Sequence, residues 1–72
     1  MAAYEHYSAS PGFDASEGLL IANEVAKGLG VRTATVLRWA RNGDMPYLRL
    51  PGGDWRFSAK WLREYRERTN GK

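Results

Sequence analysis

Gly30-Val31-Arg32-Thr33-Ala34-Thr35-Val36-Leu37-Arg38-Trp39-Ala40-Arg41-Asn42-Gly43 is the stretch from which the rest of the chain can be read. On a helix from about Thr33 to Arg41, Val36, Trp39 and Ala40 fall at i, i+3 and i+4 and form one apolar stripe. Arg38 and Arg41, three apart, share a different side, and Arg32 stands at the helix start. A short helix anchored by a tryptophan and turning arginines to solvent suits an element that reads nucleic acid. The same pattern also fits an ordinary amphipathic surface helix with a solvated basic face. The flanking sequence has to separate the two.

Upstream, Leu19-Leu20-Ile21 is a short apolar lead-in to a first helix from about Ala22 to Leu29. Ile21, Val25 and Leu29 are spaced by four, with Ala22 and Ala26 beside them. Glu24 lies in the first turn, where the helix dipole favours a negative charge. The usual cap is missing, because Ile21 stands where Ser, Thr or Asp is preferred. Gly30 is free to take a positive φ and make the turn into the second helix. Two short helices joined through a glycine turn, the second carrying arginines, form a helix-turn-helix pattern.

Downstream, Asn42-Gly43-Asp44 stops the second helix and Met45-Pro46 keeps it from resuming. Tyr47 to Leu50 and Trp55 to Phe57 alternate in character on either side of Pro51-Gly52-Gly53-Asp54, which predicts a hairpin. Tyr47 and Arg49 point one way and Leu48 and Leu50 the other, while Trp55 and Phe57 share a face opposite Arg56. A two-stranded hairpin is not stable alone, so one face must pack on the helices. Ser58 is a suitable N-cap for a third helix from about Ala59 to Arg68, with Leu62 and Tyr65 on its inner edge. Arg63 with Glu67 and Glu64 with Arg68 are i, i+4 pairs on its outside.

These elements set the domain organisation. Residues 1–18, punctuated by Ser, Pro and Gly, read as a disordered tail; residues 19–68 form one domain; residues 69–72 are a C-terminal tail. Tyr4, Tyr7 and Phe13 are the tail residues able to dock on the domain, and His6, the sole histidine, is neither a ligand nor a base there. At 72 residues the core is small and every large apolar residue matters. No cysteine is present, so neither a disulfide nor a Cys-based zinc site adds stability. No run has the length of a membrane span and no secretory signal opens the chain, so a cytoplasmic protein is expected.

Charge is unevenly placed. Residues 1–30 carry Glu5, Asp14, Glu17 and Glu24 against Lys27, a net −3. Residues 31–72 carry ten Lys and Arg, eight of them Arg, against Asp44, Asp54, Glu64 and Glu67, a net +6. Arginine offers a planar fork for phosphates and guanine edges, so arginine clustered with aromatics favours nucleic acid as partner. The core is expected to hold Val36, Trp39, Trp55, Phe57 and Leu62, and the C-terminal cations Arg63, Arg66 and Arg68 to lie in solvent or face a partner.

Taken together, Asn23-Glu24-Val25-Ala26, Leu29-Gly30-Val31, Thr35-Val36, Arg38-Trp39, Arg41-Asn42-Gly43, Met45-Pro46, Leu50-Pro51-Gly52-Gly53, Trp55-Arg56-Phe57 and Leu62 resemble the winged helix-turn-helix domains of the MerR superfamily. Within it the chain is most similar to the small phage excisionases and the stand-alone excisionase-like proteins. The resemblance implies a mainly α fold with a small β-hairpin, ordered helix-turn-helix, hairpin wing, helix. It implies binding to double-stranded DNA through two elements: the second helix in the major groove, the wing at a neighbouring minor groove or backbone. Carried over by position, Arg38 is a base-contacting arginine and Arg41 a backbone contact, while Arg32, Thr33 and Thr35 belong to the helix face and entrance that meet DNA. Arg49 and Arg56 are the wing's cations, and Gly52, Gly53 and Asp54 its tip.

Three positions depart from the family pattern. Arg32 replaces the usual capping serine, which leaves Thr33 as an alternative cap and a helix starting one residue late. Leu37 stands where relatives often have Arg or Tyr. Asp54 stands where many have Arg or His, and an aspartate is repelled by phosphate, so Arg49 and Arg56 are the available substitutes.

The excisionase resemblance implies an architectural role: copies bind adjacent direct repeats, bend the DNA and help an integrase choose excision. Integrase and further copies of the chain are then partners besides DNA, with no cofactor, no metal, no membrane and no small-molecule effector. A small transcription regulator would use the same fold and the same arginines. A protein-interaction module using the basic face on an acidic partner is the reading from another class. An enzyme is disfavoured, since one tail histidine, no cysteine and few carboxylates assemble no acid–base pair, nucleophile or metal set.

Overall fold

A computed structural model describes residues 8–70. Their elements run β1 (Ser8–Ala9), β2 (Leu19–Leu20), α1 (Ala22–Leu29), α2 (Thr33–Arg41), β3 (Leu48–Arg49), β4 (Trp55–Ser58) and α3 (Ala59–Asn70). This is a winged helix-turn-helix: two helices joined by a tight turn, a hairpin and a closing helix. The hairpin belongs to a four-stranded antiparallel sheet of order β1-β3-β4-β2, larger than the two strands expected.

The helix boundaries follow local chemistry. Ile21 precedes α1 in extended conformation and its side chain has nothing to offer a free amide. Glu24 supplies half of a capping box instead, its Oε1 accepting the Ile21 amide at 2.9 Å. Gly30, left-handed at φ 73°, ends α1 and lets the Val31 amide donate to the Ala26 carbonyl at 3.0 Å. α2 starts at Thr33 with Arg32 as its N-cap, whose carbonyl accepts the Thr35 and Val36 amides at 3.0 and 3.3 Å. The alternative in which Thr33 caps the helix is thereby corrected: no side chain caps α2. At its end the Gly43 amide donates to Ala40 and the Asp44 amide to Trp39, the paired bonds of a Schellman motif.

The core is where α1, α2, β4 and α3 meet. It consists of Val25, Ala26, Val36, Ala40, Met45, Phe57 and Leu62, all buried. Trp39 and Trp55, expected in the core, are only half-buried and pack against its outside. Met45, which the sequence offered only as part of a helix stop, is 3 % exposed. Gly28 is a place of close approach: a Cβ there would lie 3.0 Å from the Leu62 Cδ2, so its absence lets α3 sit on α1.

Ser58 ends β4 and caps α3, its Oγ accepting the Trp61 amide at 3.0 Å. α3 runs to Asn70, two residues beyond the expected end, because no glycine interrupts it before Gly71. On its inner edge Leu62 is buried and Trp61 packs against the core, while Tyr65 is 36 % exposed and stacks on Trp61 at 5.1 Å.

Residues 8–18 differ from the expected tail. β1 pairs with the outer edge of β3, Ser8 opposite Arg49 and Ala9 opposite Leu48. Asp14 pairs with Lys60 at 3.1 Å, and Glu17 accepts from the Nε and Nη2 of Arg63, at 2.9 and 2.7 Å. Phe13 lines a groove of about 330 Å³ with Ala9, Ala15, Leu48 and Leu50, so this segment covers one face of the hairpin. The expectations on Tyr4, His6 and Tyr7, and on residues 71 and 72, lie outside the described residues.

The ion pairs have a pH signature. Hydrogen bonds from Ser16, then Lys60, hold the Asp14 carboxyl down at about 2, and Arg63 lowers that of Glu17. A carboxylate depressed in the folded state stabilises it above its unfolded value, near 4. That support is lost as pH falls through the folded value. Docking of residues 8–18 is therefore expected to hold down to about pH 4 and to weaken toward about pH 2. Amide hydrogen exchange at Ser10, which donates to the Tyr47 carbonyl, reports it. Unchanged Ser10 protection at pH 2 would contradict the role given to these carboxylates.

Candidate nucleic-acid interface

The outward side of α2 is defined by its buried side. Val36 and Ala40 are both at 0 % exposure, and at about 100° per residue Arg38 lies on the opposite side of the helix from their midpoint. Arg38, Arg41 and Ala34 are exposed, flanked by half-buried Thr33, Thr35 and Leu37. Arg32 is exposed at the helix start. Leu37 packs against the core, which accounts for an apolar residue at a position where a polar one was expected.

The hairpin presents its two arginines on opposite faces. The register pairs Leu48 with Arg56 and Arg49 with Trp55, so Arg49 shares the face of Trp55. The Arg49 guanidinium sits 5.1 Å from the Trp55 ring centre, and Tyr47 packs on the same ring at 4.8 Å. Arg56 is half-buried and folds back on its own strand, its Nη1 donating to the Trp55 carbonyl at 2.9 Å. Of the two expected wing cations, Arg49 is the exposed one.

The tip is closed by backbone bonds. Gly53, left-handed at φ 94°, donates to the Leu50 carbonyl at 2.8 Å, and the Leu50 amide donates to the Asp54 carbonyl at 2.8 Å. Pro51 and Gly52 therefore form the apex, with Asp54 exposed just below it at the start of the return strand.

The electrostatics divide by element. Among the described residues, no carboxylate comes within 4.0 Å of Arg32, Arg38, Arg41, Arg49 or Arg56. The ion pairs fall instead on Lys60 and Arg63 of α3, which meet Asp14, Glu17, Glu64 and Glu67. The hydrogen bonds that Lys60 donates to Asp14 and Arg63 donates to Glu17 raise the pKa values of both cations. The Arg63–Glu67 pair forms at 3.2 Å as expected, but Glu64–Arg68 does not. Glu64 turns toward Lys60 and Arg63, and Arg68 lies over the Tyr65 ring at 5.9 Å. The uncompensated cations of α2 and the hairpin are thus the ones the sequence had singled out.

Sequence reasoning missed Ser10, Asp14 and Glu17. A signal was present: Asp14 and Glu17 are three apart, as are Lys60 and Arg63, matching one helical turn of α3.

A helix-turn-helix with an arginine-bearing second helix, a hairpin wing and a closing third helix defines a class of DNA-binding domain. The chain belongs to the helix-turn-helix domain family, which matches residues 19–70. DNA binding is the function that membership supports, and the family is typically non-enzymatic. No curated protein and no solved structure matches the chain. No helix among the described residues is long and apolar enough to cross a membrane.

Proposed function

We propose that this chain is a non-enzymatic, sequence-preferring architectural DNA-binding protein of excisionase type. The observation that supports it most is the set of exposed arginines on α2 and the hairpin that no described carboxylate neutralises. On this reading α2 enters the major groove, Arg38 reads a base edge through its planar fork, and Arg41 holds a phosphate. Thr33, Thr35 and the uncapped amides at the start of α2 meet phosphate with Arg32, as helix N-termini do. Arg49, with Gly52 and Gly53 allowing close approach, takes the wing's contact, and Arg56 adds charge below it. Asp54 stays clear of phosphate. Bending of the site by the wing, repeated copies along the DNA and an integrase as partner complete the excisionase role of a bacterial or phage-encoded protein, in the cytoplasm and on the nucleoid.

Footprinting on the DNA around the chain's own gene tests this, with a circular-permutation assay for bending. Adjacent protected repeats, bent and next to an attachment site, are the expected result. A single unbent site in a promoter would instead make it a small transcription regulator. Failure to bind any duplex at low salt would leave the basic face for an acidic protein partner.

A salt titration gives a second prediction. With about four to six phosphate contacts, the logarithm of the binding constant falls with the logarithm of salt at a slope of roughly −4 to −5. A slope near zero in a mobility-shift series would rule out an arginine–phosphate interface.

A further inference from the structure

We infer that residues 8–18, which precede the family-matched region, set the wing, and that Ser10 is a positioning residue for Arg49. The inference rests on the DNA-binding reading above. Ser10 exchanges hydrogen bonds with Tyr47 in both directions. Its amide donates to the Tyr47 carbonyl at 2.9 Å, and its Oγ accepts the Tyr47 amide at 2.8 Å. Tyr47 packs on Trp55 at 4.8 Å, and Trp55 carries the Arg49 guanidinium at 5.1 Å. Two residues before Ser10, Ser8 pairs directly with Arg49 across the β1–β3 ladder. A contiguous path of contacts therefore runs from Ser10 to the exposed wing arginine.

The segment also lies between the two candidate contact elements. Ser10 and Pro11 line a groove of about 350 Å³ with Arg41 at the end of α2 and Tyr47 at the start of the hairpin. Beyond it, Asp14–Lys60 and Glu17–Arg63 tie the segment to α3. Its first residues buttress the wing, and its later residues are anchored on α3. A two-stranded hairpin is marginal by itself. Adding β1 on the outer edge of β3 fixes where Arg49 stands relative to α2, which shape-dependent binding requires.

A double-mutant cycle tests this on the full chain, using the footprinted duplex, or a short random duplex at low salt if no footprint is found. Ser10→Ala removes the Oγ acceptor and is expected to weaken binding about threefold to tenfold, while Ser10→Thr, which keeps it, stays near wild type. Combined with Arg49→Ala, Ser10→Ala should add little further loss, because both act through Arg49. Combined with Arg38→Ala it should multiply. Circular dichroism and thermal melting confirm that each variant is folded. Wild-type affinity for Ser10→Ala, or a full multiplicative loss with Arg49→Ala, would overturn the positioning role while leaving DNA binding intact. Absence of duplex binding by the wild-type chain would overturn the functional reading, and this inference with it.

Discussion

Arg38→Ala is expected to lower affinity for the protected duplex by about tenfold to a hundredfold, while random duplex loses far less. The asymmetry is the point. Arg38 projects from α2 opposite the buried Val36–Ala40 stripe, and no described carboxylate competes for its guanidinium. A base-reading arginine discriminates between sequences, whereas a phosphate-binding one supports all of them alike. Arg41→Ala, at the end of the same helix, should therefore weaken both duplexes equally and reduce the salt slope by about one. Mobility-shift titrations of the two variants on both duplexes separate the roles. Equal losses on specific and random DNA for Arg38→Ala would assign it to the backbone instead.

Phe57→Ala carries the largest expected effect on stability, a loss of about 3 to 5 kcal/mol. Phe57 is 1 % exposed and is the largest fully buried side chain. It stands on β4, between β3 and β2, and reaches the point where α1, α2 and α3 converge. A domain of this size has a total stability of roughly 4 to 11 kcal/mol, so the variant should be largely unfolded or melt far below wild type. Truncating Leu19 or Tyr65, at 44 % and 36 % exposure, should cost much less. Urea titration followed by tryptophan fluorescence compares the three. If Phe57→Ala unfolds within a few tenths of molar of wild type, Phe57 is not the centre of the core.

The parts of the fold legible in the sequence were those carrying their own local signals. α1 and α2 announce themselves through the spacing of Val25 and Leu29 and of Val36, Trp39 and Ala40, whereas Ile21, expected on the same stripe, caps α1 and is 44 % exposed. Ser58 caps α3 as its side chain suggests, and the Gly-Gly pair turns the hairpin. β1 and β2 were not legible, because two residues carry no periodicity; an edge they can pair with places them. The docking of residues 8–18 depends on Asp14 and Glu17 meeting cations 46 positions away. Met45 joins the core through the path of the chain after α2, not through any repeat. The candidate interface divides in the same way. Arg38 could be placed from its own helix, but the fold-back of Arg56 on its strand and the seating of Arg49 on Trp55 depend on cross-strand register and side-chain geometry.

The outer edge of β3 is occupied by β1, and the opposite margin of the sheet is β2, only two residues long. An uncovered strand edge is a template on which a second chain can add a strand, the common route to uncontrolled self-association. Here β1 covers β3, and among the described residues the strands at the two margins, β1 and β2, are two residues each, too short to hold a partner. Among the described residues no long strand edge is left for neighbouring copies on one DNA molecule to pair through, so their spacing would be left to the DNA rather than to a growing sheet.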